Sequence, residues 1–324
     1  MPGIFFTVGP TATGKSEIAA DVAADLDAEI VSADAFQIYR GLELLSAKPD
    51  TDTLAKAPHH LIGTISILEE MNAEKFRQLA LRAIAEIHSR GKLAVVVGGS
   101  GLYIKALTHG LASLPAVDSK LRAQLNKLSI DELREKIVDL DPETARKIDV
   151  KNRRRLVRAI EICLLAGKPA SAQRVQWAVA ASLRDARRGC AMKHSRGASH
   201  SEAATDGVFV SRDRDDLYQR INRRVEAMFE NGVIEDVRAT GAMGETAAKM
   251  IGLREIGELL EGKMSILQCV AAIQQTTRRY AKRQLTWFRR QTNFEPLNLS
   301  LLTHKEAVKW ISQRARLAFA QGND

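Results

Sequence analysis

The stretch IFFTVGPTATGKS, Ile4 to Ser16, decides the fold. Ile4–Val8 is short and apolar, the pattern of a strand buried on both faces. Gly9 to Ser16 then fits G-x-x-x-x-G-K-[ST], a phosphate-binding loop between a strand and a helix. The glycines let the chain fold back so that successive backbone N–H groups converge on an anion, and the following helix adds its dipole. Lys15 supplies a point charge for terminal phosphates and Ser16 a hydroxyl for Mg²⁺. The motif leaves open which phosphate it holds, a nucleoside triphosphate or a diphosphate ester.

Working outward, the spacing predicts a helix from Lys15 to about Leu26, a strand at Glu29–Ser32, a helix over Ala73–Arg90 and a strand at Leu93–Val97. Alternating strands and helices give an α/β class, a P-loop-type parallel sheet flanked by helices. From about Val117 to Gly167 the chain is helical and charged. Ala178–Gly207 is rich in Ala, Ser, Arg and Gly and reads as a loop or a poorly ordered insert. Val208–Val210 returns the chain to the sheet, and Asp213–Gln291 is helical again. The expected organisation is a catalytic core from residues 1–115 and 208–324, interrupted by an all-helical insertion domain at 116–207.

The 324 residues carry 48 basic and 39 acidic side chains, a net charge of +9, with 45% hydrophobic residues. That balance excludes a disordered tail or a disulfide scaffold, and it favours a polyanionic partner. Three separated cysteines, Cys163, Cys190 and Cys269, form neither a zinc site nor a disulfide framework and fit a reducing cytosol. No apolar run reaches membrane-spanning length and no secretory signal is visible.

Leu93–Val97 ends in Gly98-Gly99-Ser100-Gly101, without the carboxylate that an NTP-hydrolysing site would place there. The acid instead follows the second strand, at Asp34. It reads equally as a functional acid, an indirect Mg²⁺ ligand or a proton acceptor, and as a turn or capping residue. Ser100 sits at a strand end, where ligands of open α/β sheets bind. Arg220 and Arg224, one helical turn apart, could face the phosphate loop or form surface ion pairs. Arg154 and Arg158 fall opposite an apolar stripe and are expected to face solvent. Arg278, Arg279, Lys282, Arg283, Arg289 and Arg290 share an arc of about 140° on a helix; Tyr280, Trp287 and Phe288 lie on the other, core side. No acid interrupts this run, which favours contact with a phosphate backbone.

These pieces resemble the tRNA dimethylallyltransferase, or tRNA isopentenyltransferase, family. The likeness runs in order through GPTATGKS at 9, SADAFQIYRG at 32, AKPD at 47, PHHLIG at 58 and VGGSGLYIKAL at 97. It continues through LPAVDSKLR at 114, NRRRLVRAIE at 152, LYQRINRRVEAMFENG at 217 and TRRYAKRQLTWFRR at 277. The resemblance implies transfer of a dimethylallyl group from its diphosphate to the exocyclic amine of the adenosine 3′ of the anticodon, in tRNAs reading codons that begin with U. Gly9, Pro10, Thr11, Ala12, Thr13, Gly14, Lys15 and Ser16 then cradle diphosphate, helped by Arg220 and Arg224, with Mg²⁺ on Ser16. Asp34 matches the general base, and Ser100 stands where the family usually has Thr, near the bridging oxygen. The catalytic set is Asp34, Ser100, Lys15 and Arg220.

An adenine stacked in an anticodon loop has to be extruded to react. Asp34, Ala35, Phe36 and Gln37 match the segment that meets it, with Ser100 alongside. Arg122, Arg154, Arg155, Leu156, Val157 and Arg158 match tRNA-contacting positions around the insert, as Arg278, Lys282 and Arg283 do on the C-terminal basic helix. The implied partners are the tRNA anticodon stem-loop and dimethylallyl diphosphate, for a cytoplasmic monomer that uses no membrane. Leu45-Ser46 departs from the usual Gly-Thr, and Leu253 from a common Tyr. Two other readings are an adenylate isopentenyltransferase acting on free adenine nucleotides and a catalytically silent RNA-binding P-loop protein.

Overall fold

Ile4, Phe5, Phe6, Thr7 and Val8 are all buried in strand β1 (Ile4–Val8), and their alternation divides the core in two. In the computed structural model, which describes residues 3–111, 115–173, 206–291 and 294–321, β1 pairs in parallel with two strands. One is β4 (Ala94–Gly98) and the other β5 (Gly207–Ser211). Strands β2 (Glu29–Ser32), β3 (His59–His60) and β6 (Glu295–Asn298) complete a parallel sheet of order β3-β2-β4-β1-β5-β6. Ile4, Phe6 and Val8 point to one face, where Phe76, Ile84, Ile104, Leu107 and Phe288 cover them. Phe5 points to the other, against Ile18, Val22 and Ile311. Side chains alternate across a strand, so a sheet covered on both faces needs apolar residues at both parities.

The expected strands and helices are present with ends moved by a residue or so. The strand expected at Leu93–Val97 lies at Ala94–Gly98, because pairing with β1 continues to Val8↔Gly98. β6 has a single buried apolar residue, Leu297, and carries Pro296; proline suits an edge strand, and one buried residue leaves no alternation to detect. The helix His304–Gln321 packs Ala307, Ile311 and Ala315 on the same face as the helix Lys15–Asp25.

Two compact units emerge: Met1–Thr108 with Ala181–Asp324, which holds the sheet, and His109–Ala180. The second unit contains the helices Ser119–Leu125, Ile130–Leu140, Pro142–Lys147 and Arg153–Ala166. They close around Leu125, Leu133, Ile137, Leu156, Ile160 and Cys163. Their starts carry strong local signals: Asp118, Asp141 and Asn152 cap with their side chains, and Ser129 with Glu132 forms a capping box. Ala178–Gly207 lies outside the described residues except for Asp206 and Gly207.

At one end of the sheet the buried Glu29 carboxylate is held by Arg90 through Nε at 2.9 Å and Nη2 at 2.7 Å, with His60 Nε2 2.7 Å from Oε2. The Arg90 hydrogen bonds, above all, pull its pKa down from 4.5 to about 2 against the opposing effect of burial. A carboxyl depressed in the folded state stabilises fully above its unfolded value. That contribution is lost as pH falls from about 4.5 toward 2. Glu29→Gln is therefore expected to flatten this acid limb in thermal melts and to cost about 1.5–3 kcal/mol at neutral pH, the range for hydrogen bonds to charged groups.

Candidate active site

The loop after β1 is braced from outside, largely through its carbonyl oxygens. Thr13 Oγ1 donates to Pro10 O at 3.0 Å. Arg220 Nε donates to Ala12 O at 2.9 Å and Arg212 Nε to Thr13 O at 2.7 Å. Gly14 caps the helix at φ 89° and Ala12 stands at φ 65°, a left-handed conformation that non-glycine residues rarely adopt. Gly9 passes so close to Val210 that a side chain there would meet its carbonyl oxygen.

Above the loop lies an open cavity of about 850 Å³ lined by Thr11, Ala12, Gly14, Lys15, Ser16, Asp34, Arg220, Arg223 and Arg224. Burial pushes the Lys15 ammonium down to about 8, with Asp34 opposing and Arg224 reinforcing the shift. Arg224 donates to Thr11 Oγ1 at 3.0 Å; burial lowers its pKa and Asp34 raises it. Asp50 and Asp52 also line this cavity, but Asp50 is occupied in capping the helix Thr51–Ala55.

Asp34 fulfils its turn role: Oδ1 accepts from Phe36 N at 2.9 Å and Gln37 N at 3.2 Å. It also borders two further cavities. One, about 20 Å³, lies between Lys15, Ser32, Gln37 and His59, room for about one water. The other, about 80 Å³, is mostly apolar, lined by Phe36, Leu45, Ile221, Val225, Met228, Met250 and Ile273, with Arg224 and Tyr280 at its polar side. Ser100 Oγ accepts from Ala35 N at 3.0 Å, so the residue at the end of β4 fixes the segment that carries Asp34. Lys15, Ser16, Asp34, Gln37, Arg220 and Arg224 thus converge.

Other expectations need correction. Tyr280 is no plain core residue: it lines the apolar cavity and lies near Ser100. Burial and the nearby Asp34 raise its pKa well above the ordinary phenol value. Arg278 turns away from the exposed arc, donating to Asn222 Oδ1 at 2.9 Å and lying over the Tyr218 ring. Leu156 and Val157 are core side chains of the insert, 0% and 4% exposed. Arg122 and Arg158 both hold the fully buried Glu161: Arg122 through Nε at 2.5 Å and Nη2 at 2.6 Å, Arg158 through Nη1 at 3.3 Å. Arg158 is consequently half-buried, while Arg154, Arg155, Lys282 and Arg283 are exposed.

Arg212 and Gln284, both in contact with the loop, carry no motif that singles them out in the sequence. Gln284 had a weaker signal, a polar residue four positions after Tyr280 on the inward face of its helix. Of the departures, Leu45 lines the apolar cavity, Ser46 Oγ donates to Leu42 O at 2.7 Å, and Leu253 packs in an apolar cluster with Met250 and Ile256.

The sequence model of the family described as IPP transferase matches residues 37–291. The chain is 40% identical over 289 residues to "tRNA dimethylallyltransferase 1" of Citrifermentans bemidjiense, covering 88% of each chain. Its fold is similar to the crystal structure of the full-length tRNA isopentenylpyrophosphate transferase from Bacillus halodurans. The TM-score is 0.68 at 29% identity, over 100% of this chain and 98% of that one. A eukaryotic dimethylallyltransferase acting on tRNA shares the fold at TM-score 0.73 with 22% identity, over 92% and 74%. The family match takes in Asp34's neighbour Gln37, the arginine-bearing helix Arg214–Glu230 and the basic helix Ile266–Gln291, and with relatives aligned over 88% of the chain it makes this protein a member of the IPP transferase family.

Proposed function

We propose that this protein is a tRNA dimethylallyltransferase, transferring the prenyl group of dimethylallyl diphosphate to the exocyclic amine of the adenosine 3′ of the anticodon in tRNAs reading codons that begin with U. One observation carries the reading: Asp34 stands between a cation-lined cavity over the phosphate loop and a small apolar cavity. A diphosphate on a five-carbon apolar tail has that same polarity, anionic at one end and greasy at the other.

In the reaction the allylic C–O bond breaks and a C–N bond forms. The electron pair leaves with diphosphate, and the amine proton goes to the Asp34 carboxylate. Diphosphate gathers negative charge as it departs, and Lys15, Arg220 and Arg224, all lining the cavity, would stabilise it together with the unbonded loop amides. The adenine amine is a weak nucleophile because its lone pair is delocalised into the ring, so removal of its proton has to accompany bond formation. Ser100 and Tyr280 flank the same carboxylate-bearing segment.

No cluster of three or more His, Cys, Asp or Glu able to hold a metal occurs among the described residues. Mg²⁺ commonly keeps waters and takes only one or two protein ligands beside substrate phosphates, and Ser16, lining the cavity, fits that habit. Ser16 would hold Mg²⁺ against the diphosphate, where the ion supplies charge neutralisation. No helix among the described residues is long and apolar enough to cross a membrane; the partners proposed are tRNA and the soluble prenyl donor, in the cytoplasm. Exposed Lys282, Arg283, Arg289 and Arg290 support an RNA-backbone surface, and Arg154 and Arg155 on the insert support a second.

Mass spectrometry of unmodified tRNA incubated with the protein and dimethylallyl diphosphate should detect the added prenyl group. Product on AMP but none on tRNA would overturn the assignment. Asp34→Asn keeps the Oδ1 acceptor that the turn needs, so it should fold and bind tRNA normally while losing at least ~10²-fold in transfer rate.

Lys15 sheds its proton in the donor-free protein as pH rises through about 8. The donor KM should therefore be flat below that pH and rise about tenfold per unit above it, the limiting slope for one required proton. Neutralising Lys282 and Arg283 to Gln should reduce the salt dependence of tRNA binding by about one unit of slope for each phosphate that they neutralise. Arg278→Gln should leave that slope unchanged.

A further inference from the structure

The helix Ile266–Gln291 presents Lys282 and Arg283 to solvent, with the Arg283 guanidinium over the Tyr280 ring, and closes over the Gly98–Gly101 turn residue by residue. Gln284 meets Gly99, Tyr280 meets Ser100, and Trp287 lies where a Cβ on Gly101 would fall. Gln284 is the member of this set with two polar bonds. It is 6% exposed; its Oε1 accepts from Thr11 N at 3.0 Å and its Nε2 donates to Gly99 O at 2.9 Å. A primary amide offers an acceptor and a donor side by side, and both are used here. Gly99 has to be glycine, since a Cβ there would collide with the Gln284 amide and crowd Gly9 O. Thr11 is consequently fixed at two points, its N–H by Gln284 and its Oγ1 by Arg224.

We propose that Gln284 is a positioning residue for prenyl transfer: it sets the separation between the phosphate loop and the turn bearing Ser100, and ties both to the helix whose outer face is basic. This rests on the functional reading above. Neither bond made by Gln284 is available to RNA. Its effect falls on how the donor's reacting carbon is aligned with the amine and with Asp34, a geometry in which a shift of about 1 Å can cost 10²-fold.

The test compares the full-length protein with Gln284→Met, which keeps the bulk and removes both bonds, and Gln284→Glu, which keeps the acceptor for Thr11 and loses the donor to Gly99. Transfer from dimethylallyl diphosphate to unmodified tRNA is resolved into kcat and donor KM. tRNA affinity is read by filter binding, and folding by thermal melting. The expected result is folded variants with tRNA affinity within about twofold of wild type and kcat lowered about 10- to 100-fold, with donor KM moving less.

A folded Gln284→Met with wild-type kcat overturns the proposal. So does a defect confined to tRNA affinity, which would make Gln284 part of the RNA surface. Loss of the folded state in both variants overturns it as well, since the residue would then serve the core. Wild-type protein that transfers nothing to tRNA overturns the functional reading, and this proposal with it.

Discussion

Everything at this site follows from the parallel register of β2, β4 and β1. Val8 lies beside Gly98 and Ser32 beside Val97, so the three strands end together at one edge of the sheet. The chain leaving β1 becomes the phosphate loop, the chain leaving β2 carries Asp34, and the chain leaving β4 carries Ser100. Groups separated by as many as 91 positions (9 to 100) are brought to one edge because strands running the same way must release their loops at the same end. Antiparallel pairing would have sent one of the three to the opposite edge. The glycines at 9, 98 and 99 are the local cost of this convergence, since each backbone passes another too closely to carry a side chain.

The convergence creates an electrostatic imbalance that a ligand can relieve. Lys15 and Arg224 are both depressed by burial, and one nearby carboxylate, Asp34, opposes the shift in each. A second guanidinium, Arg220, is lowered by burial and by its neighbour Arg212. Cations removed from water without enough counter-charge destabilise the empty site. A polyanion in the cavity would restore the balance, which is the electrostatic ground for the proposed diphosphate site. The same reasoning explains why the loop is held by arginines on its carbonyl side. Their donors take the oxygens of Ala12 and Thr13, which would otherwise compete with the amides for orientation toward the ligand.

Legibility in the sequence tracked how local the cause was. The strand, loop and first helix could be read because apolar run, glycines and lysine lie within thirteen residues, Ile4 to Ser16. The insert reads only as one helical stretch, although Asp118, Ser129, Asp141 and Asn152 carry local signals for its helix starts. Asp34 was visible as an acid after a strand, but its two roles were not separable. The turn role is present, since one carboxylate oxygen accepts two backbone N–H groups, and the side chain also borders the cavities, which is the position the proposed proton acceptor needs. Gln284 and Arg212 depend on contacts across 185 to 273 positions of chain, and the cavity role of Tyr280 on burial set by distant elements. Helical periodicity gives the face of a residue and says nothing of what that face meets.

The basic residues show the same limit with a functional consequence. A helical wheel treats Arg278 as equivalent to Lys282 and Arg283, and a run of arginines treats Arg158 as equivalent to Arg154. In the fold they divide. Arg278 bonds Asn222 on the helix that carries Arg220 and Arg224, and Arg158 joins Arg122 on the buried Glu161. A charge spent on a buried carboxylate or a neighbouring helix adds little to the long-range field that attracts RNA, because its partner or its burial screens it. Removing it would disturb the scaffold beneath the remaining cations. Net charge therefore overstates the charge available to a polyanion, and the basic residues left exposed on this helix are Arg279, Lys282, Arg283, Arg289 and Arg290. Their helix is also the one that grips the phosphate loop and the Ser100 turn from its inner side. One rigid element thus carries the proposed RNA-facing charge on one side and the alignment of the chemical site on the other.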